Sequence, residues 1–249
     1  MTENTNGNNI IAGRNAVTEA LRSGREIDRL LVAHGTEGGS VTAIIAKCKA
    51  RGILIKEVSM QKMDYLCGGA VHQGVAVMIA SHEYCSVEDI LSLAKERNEA
   101  PFIIICDEIE DPHNLGAIIR TAEAGGVHGI IIPERRSASL NMTVAKSASG
   151  ALEYMKVARV TNLANTIDSL KEAGVWVYGA DMGGLDRKNF DFTSPTALVI
   201  GNEGKGIGRL VAKKCDGIVS LPMYGKINSL NASVAAGILI YEVAQQRHN

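Results

Sequence analysis

The sequence predicts an α/β protein, with a small αβ block followed by a larger domain built on a parallel sheet, and three observations carry that reading. From residue 102 onward, short apolar runs recur without polar alternation, at residues 102–106, 129–132, 175–179, 197–200 and 218–221. Gly and Pro bound these runs and helix-patterned stretches separate them, as in a sheet covered by helices on both faces. Ahead of them, residues 81–100 are charged and polar up to Pro101, which marks a break between two blocks.

Taken in order, the first residues are polar and Asn-rich, with no apolar stretch of the kind a secretory signal carries. The first block occupies residues 11–80. Residues 16–21 read as a short helix and residues 27–33 as a strand. Residues 41–51 read as a helix with Ile44, Ile45 and Cys48 on one face, and residues 53–58 and 75–79 as two further strands. The expected division is therefore an N-terminal domain at 1–80, a linker at 81–100 and a second domain at 101–249. Within the linker, residues 87–97 are amphipathic, so an extra helix of either domain is the alternative there.

Composition narrows the functional classes. With 249 residues, 46% apolar and 21% charged, the chain has material for a sizeable core. No apolar run approaches a membrane span. The five cysteines are odd in number and form no CxxC pair, and the six histidines form no HExxH. Reduced thiols in a cytosolic protein, and no metal site, are the expectation. Aromatic residues are only 4% of the chain and the net charge is −1, so neither a stacking platform nor a globally basic surface for nucleic acid is evident. A local patch is still enough to hold phosphates, and Arg14, Arg135, Arg136, Lys205 and Lys226 are the candidates for one. Arg135 and Arg136 read equally as solvated surface.

Ligands of such sheets bind at loops beyond the carboxyl ends of the strands, and three such loops carry chemistry. In the first, residues 107–120, Asn114 is placed to cap a helix starting at Leu115, with Pro112 stiffening the approach. Leu115, Ile118, Ile119 and Ala122 give that helix an apolar face. Arg120 lies four residues after Gly116, and a long helical side chain leans toward the N-terminus. Its guanidinium is therefore expected over Gly116, facing the 107–114 loop; a surface ion pair with Glu123 or Asp111 is the other reading. The second loop has glycines at 201, 204, 206 and 208, in a spacing that fits neither the P-loop nor the dinucleotide fingerprint. Glu203 in its middle is a carboxylate able to pair with a cation. The third loop, residues 222–233, offers Ser229, Asn231 and Ser233 as helix caps. Ala232, Ala235, Ala236 and Gly237 then allow a close helix contact, or simply a tightly packed core helix.

Together the loops are more specific than any one of them. Asn114-x-Gly116-x-x-x-Arg120, then Gly201-Asn-Glu203-Gly-x-Gly206, then Leu221-Pro-Met with Ser229-Leu-Asn231 resemble the three signature motifs of the SpoU family, RNA ribose 2′-O-methyltransferases of the SPOUT superfamily. The likeness spans roughly residues 101–247. Residues 11–21, Ile-Ala-Gly-Arg-Asn-Ala-Val-x-Glu-Ala-Leu, resemble the start of that family's RNA substrate-binding domain. Within the family, the likeness is greatest to enzymes that methylate a guanosine of bacterial 23S rRNA.

The resemblance implies a deep trefoil knot in the second domain and a cleft that takes S-adenosylmethionine in a bent shape. It assigns Gly201, Leu221 and Leu230 to cofactor contacts through their backbone groups. It also implies a homodimer that packs the helix near Asn114 and the last helix against the partner, and it requires no metal. Arg120 corresponds to the catalytic arginine, oriented by Asn114 and Glu203, with Ser229 and Asn231 completing the site. Arginine hardly ever releases its proton in a protein, so a cation that fixes phosphate and stabilises an alkoxide suits Arg120 better than a base. A tRNA methyltransferase of the same family and a silent RNA-binding assembly protein on this fold are the alternatives. A nucleotide-binding oxidoreductase is disfavoured by the missing fingerprint.

Overall fold

A computed structural model of the chain describes residues 10–25 and 27–248. It divides into two compact units, the first reaching to Glu83 and taking in Ser139–Met142, the second formed by Tyr84–Ala138 and Thr143–Asn249.

The first unit runs β1 (Ile10–Ala12), α1 (Arg14–Arg22), β2 (Ile27–Ala33), α2 (Gly39–Ala50), β3 (Leu54–Val58), α3 (Met60–Cys67) and β4 (Val75–Ile79). Its sheet has the order β1-β4-β2-β3, with β2 and β3 parallel and both contacts of β4 antiparallel. Successive side chains of β2 point to opposite faces. Leu30 and Val32 meet Val17, Leu21, Ile44 and Cys48 of α1 and α2, whereas Leu31 and Ala33 meet Met63 and Cys67 of α3. Helices on both faces explain why residues 30–33 of β2 are apolar without alternation. β1 and α3 were not expected from the sequence: β1 is only three residues long, and α3 carries Gln61, Lys62 and Asp64 among its apolar positions. Ser59 starts α3 by accepting the Lys62 N–H, and Gly68 ends it in the left-handed conformation.

The second unit runs α4 (Val87–Glu96), β5 (Phe102–Cys106), α5 (Pro112–Ala124), β6 (Gly129–Pro133), α6 (Met142–Ala148), β7 (Lys156–Val160), α7 (Leu163–Glu172), β8 (Trp176–Asp186), β9 (Thr196–Ile200), α8 (Arg209–Lys214), β10 (Gly217–Ser220) and α9 (Ala232–His248). Its six strands are ordered β10-β8-β9-β5-β6-β7 and every pairing is parallel. Ile103, Ile105, Ile131, Val177 and Val199 project into one core with Ile90 of α4, Ile167 of α7 and Val211 of α8. α5 and α9 pack against each other, and α9 also packs on β9.

The expected linker is corrected here. Residues 84–100 belong to the second unit, because α4 buries Ile90 and Ala94 completely. Ile90 fills the space beside Gly129, where a Cβ would stand 2.5 Å from its Cγ1. Ser86 and Asp89 form a reciprocal capping box at the start of α4. β8 is also longer than expected. Its second half, residues 180–186, is polar and glycine-rich, yet it continues along β10 after a register shift, and Gly184 lies against the Ile218 carbonyl where any Cβ would clash at 2.2 Å.

Candidate active site

The loop after β5 starts α5 through Asp111, whose Oδ1 accepts the His113 N–H at 2.9 Å, with Pro112 in the first turn. Asp111 is therefore the cap, not Asn114 as the sequence suggested. Two residues of helix ahead of it turn Asn114 inward, where it is 8% exposed, and its amide is left available for another partner. Asn114 Nδ2 donates to Glu203 Oε1 at 2.8 Å, and Asn114 Oδ1 accepts from Asn231 Nδ2 at 3.0 Å. Asn231 Nδ2 also donates to Glu203 Oε1, which in addition accepts the Ala232 N–H. The three residues form a closed ring of hydrogen bonds that joins the three strand-end loops.

Asn231 is also the cap of α9: its Oδ1 accepts from the N–H groups of Ser233 and Val234 and from Ser233 Oγ. One side chain thus starts the helix and closes the ring. Glu203 lies against the N-terminal end of α9, where the helix dipole favours a carboxylate.

The glycine loop after β9 is shaped by close backbone approach. Asn202 and Gly206 exchange backbone hydrogen bonds, while Asn202 Oδ1 accepts the N–H groups of Gly204 and Lys205. A Cβ on Gly201 would stand 2.4 Å from the Gly206 carbonyl carbon, and Gly206 itself has φ +67°. Asp107, buried at the end of β5, accepts the Gly208 N–H at 2.7 Å. Burial pushes its carboxyl above the ordinary range, an effect that the Gly208 bond opposes.

A cavity of about 220 Å³ lies between this loop, the 221–230 segment and the start of α9. Gly201, Glu203, Lys205, Leu221, Ser229 and Leu230 all line it, so the expected cofactor contacts and three polar candidates converge on one cleft. Val219, Ala235 and Leu239 give it an apolar wall. The structure adds Asp181 and Met182, which lie on β8 beyond the apolar run that ends at residue 179 and so were not expected from the sequence. A carboxylate two residues beyond an apolar strand run was the available signal.

Arg120 does not join the ring. Its guanidinium is exposed and donates to Ser149 Oγ at 3.3 Å instead of reaching back over Gly116. That space is taken: a Cβ on Gly116 would stand 2.4 Å from Ser147 Cβ, because α6 packs directly on it. Among the basic candidates, Arg14 in the first unit is committed to its own loops, donating to the Gln73 carbonyl, Ser40 Oγ and the Glu37 carbonyl. In the second unit Arg136 and Lys205 both face Glu108, and Arg135 and Lys226 are exposed. Among the described residues no group of three or more His, Cys, Asp or Glu is arranged to hold a metal. No helix among them is long and apolar enough to cross a membrane.

Comparison with known proteins gives a consistent result. Residues 101–241 match the model of the SpoU rRNA methylase family, and residues 10–85 match an RNA 2′-O ribose methyltransferase substrate-binding domain. A Bacillus subtilis protein named as a TrmH family tRNA/rRNA methyltransferase, YacO, is 51% identical over 239 residues, which cover 96% of each chain. Among solved structures, the SpoU methyltransferase AviRb from Streptomyces viridochromogenes, in complex with AdoMet, is similar at 25% identity with a TM-score of 0.61 over 98% of this chain and 94% of that one. An AdoMet-bound rRNA methyltransferase from Sinorhizobium meliloti is similar at 26% identity and the same TM-score, over 98% of this chain and 89% of that one.

Proposed function

This chain belongs to the SpoU rRNA methylase family, and from that premise we propose that it methylates a ribose 2′-hydroxyl of RNA with S-adenosylmethionine, its preferred substrate being a guanosine of 23S rRNA. The observation that carries the reading is the Asn114–Glu203–Asn231 ring, which locks the three motif loops together at the mouth of the cleft.

The cleft suits a ligand that is part polar and part apolar. Glycine backbone at 201 and 204 lines one wall, Val219 and Leu239 offer apolar contact, and Asp181 and Glu203 offer negative charge near a cation. When bound, S-adenosylmethionine supplies an electrophilic methyl on a positively charged sulfur. The protein's own task is to bring a ribose oxygen into line and to stabilise the charge it develops. Glu203, Asn114 and Asn231 keep the cleft mouth in one arrangement, and Ser229 lines the cleft with its hydroxyl. Arg120, exposed and held only through Ser149, is available to an RNA phosphate as a fixed cation.

The reading extends to the whole molecule. Val234, Ile238 and Tyr241 form an exposed apolar stripe along α9, at 49%, 37% and 54% exposure, which supports a homodimer packed through this helix. The deep trefoil knot of the second unit is part of the same proposal and rests on family membership. A cytosolic location is part of the same proposal, in keeping with the five free cysteines. The test pairs calorimetry with S-adenosylhomocysteine and mapping of 2′-O-methyl groups in 23S rRNA and tRNA from cells lacking the protein. Micromolar binding and one missing guanosine mark in 23S rRNA are expected. Folded protein that binds no ligand at millimolar concentration rejects the cofactor, and a mark lost from tRNA alone replaces the substrate.

A further inference from the structure

Glu108 takes no part in the ring, yet it too joins three strand-end loops of the second unit, two of them shared with the ring. It lies on the loop after β5. Its Oε1 meets Arg136 Nη1, from the loop after β6, at 2.7 Å, and its Oε2 lies 3.7 Å from Lys205 Nζ, on the glycine loop after β9. Its backbone carbonyl accepts Asn202 Nδ2 at 3.1 Å, and Asn202 in turn holds the N–H groups of Gly204 and Lys205. The carboxylate is 22% exposed, against 72% for Arg136 and 76% for Lys205. Glu108 also has φ +57°, a conformation that suits glycine and strains other residues. A charged residue kept where glycine fits better points to a use for the side chain.

Two cations face one carboxylate directly, while Glu110 acts on Arg136 without pairing with it. The bond to Arg136 lowers the Glu108 carboxyl from its usual range, so at neutral pH it remains an anion. Most of the N–H donors of the arginine and lysine are not used by this single partner. A phosphate diester offers the same kind of oxygens, and guanidinium and ammonium groups both bind it well. Mostly exposed ion pairs are weak and exchange readily for another anion.

We propose that Arg136 and Lys205 form the seat of one RNA phosphate beside the cofactor cleft, and that Glu108 is its built-in occupant, an internal anion that RNA displaces. The proposal rests on the RNA-methyltransferase reading above. Because Asn202 ties the glycine loop to the Glu108 backbone, the seat stands in a set position relative to the cleft even when the carboxylate swings away. The internal anion also disfavours phosphates that cannot reach both cations, which is a means of selecting among RNA sites.

The experiment is filter binding of the full chain to transcribed 23S rRNA across a series of KCl concentrations. Glu108→Gln and Glu108→Gly are expected to bind about 3- to 10-fold tighter at low salt, with a steeper salt dependence, and to keep wild-type affinity for S-adenosylhomocysteine. Glycine at this φ removes the carboxylate without straining the fold. Glu110→Gln removes an exposed charge that acts on Arg136 without pairing with it, and should behave as wild type. The Arg136→Ala/Lys205→Ala pair should flatten the log–log salt slope by about 0.7 to 0.9, the share of one phosphate. Glu108 variants that bind no tighter than Glu110→Gln, or a double variant that loses twice that slope, overturn the proposal. If those results come from protein whose wild type binds and methylates RNA, only the Glu108 seat falls; wild type that binds no RNA overturns the functional reading as well.

Discussion

At the scale of single residues, Glu203 gathers three donors on one oxygen, and those donors come from two different loops. Arg120 stands apart from this ring on Ser149, and its part in the chemistry is the sharpest point to test. Arg120→Ala should lower single-turnover methylation by at least about 10²-fold, the scale seen when a group aimed at developing charge is removed. Affinity for S-adenosylhomocysteine should stay within about 2-fold, since Arg120 does not line the cleft. Arg120→Lys separates two roles. As a cationic clamp, the lysine enzyme stays poor at every pH because the planar fork is lost. As a base, lysine restores activity that rises with pH. An alanine variant of near-normal activity leaves Arg120 as a surface partner of Ser149.

At the scale of elements, the site depends on glycines that let backbone meet backbone. Gly201→Ala should weaken S-adenosylhomocysteine binding by at least about 10-fold in calorimetry, because the new methyl would press on the Gly206 carbonyl within the loop itself and overpacking of this kind costs about 1–3 kcal/mol. Unchanged affinity would mean that the glycine loop yields easily and is not a rigid wall. The elements that the sequence displayed poorly share one cause. β7 is a short edge strand, Lys156-Val-Ala-Arg-Val160, with only Val157 and Ala158 buried, so it lacks the continuous apolar run that marks β5 or β9. The far half of β8 looks like a loop because it is matched to β10 through glycine backbone and not through apolar side chains.

At the scale of the whole second unit, its last helix is fastened to the start of its central strands. The Arg247 guanidinium donates to the carbonyls of Ala100, Pro101, Phe192 and Ser194, and its plane lies over Phe102. Beside it, the nearly buried His128 accepts the Phe102 N–H at Nδ1, with Nε2 2.9 Å from Glu99. Burial lowers the His128 pKa below its ordinary 6.5, outweighing the opposite pull of Glu99. The unfolded chain therefore binds this proton more readily than the fold does. Its contribution to stability is intact above about pH 6.5 and is lost as pH falls through the lowered folded value. Protonation also forces Nδ1 to give up the Phe102 bond. The melting temperature should fall between pH 7.5 and pH 5, and His128→Asn, which keeps an acceptor in place of Nδ1, should flatten that dependence. Parallel curves for the two proteins would assign acid sensitivity to other groups.

The sequence by itself determined the class of fold and the family. Both rest on local information: apolar runs bounded by Gly and Pro, and residue types at set spacings within each motif. It also identified Asn231 as a cap candidate, since capping involves only the next three residues. Tertiary structure alone decided what these residues do to one another. Asp111 rather than Asn114 caps α5, and that shift by part of a helical turn aims Asn114 at Glu203, 89 residues away in sequence. α6 closes the space over Gly116 and turns Arg120 outward to Ser149. Glu108 became visible only when three loops met at its side chain. Contacts of this kind join segments dozens of residues apart, so no local pattern records them; they exist only once the parallel sheet has aligned its strand ends on one side.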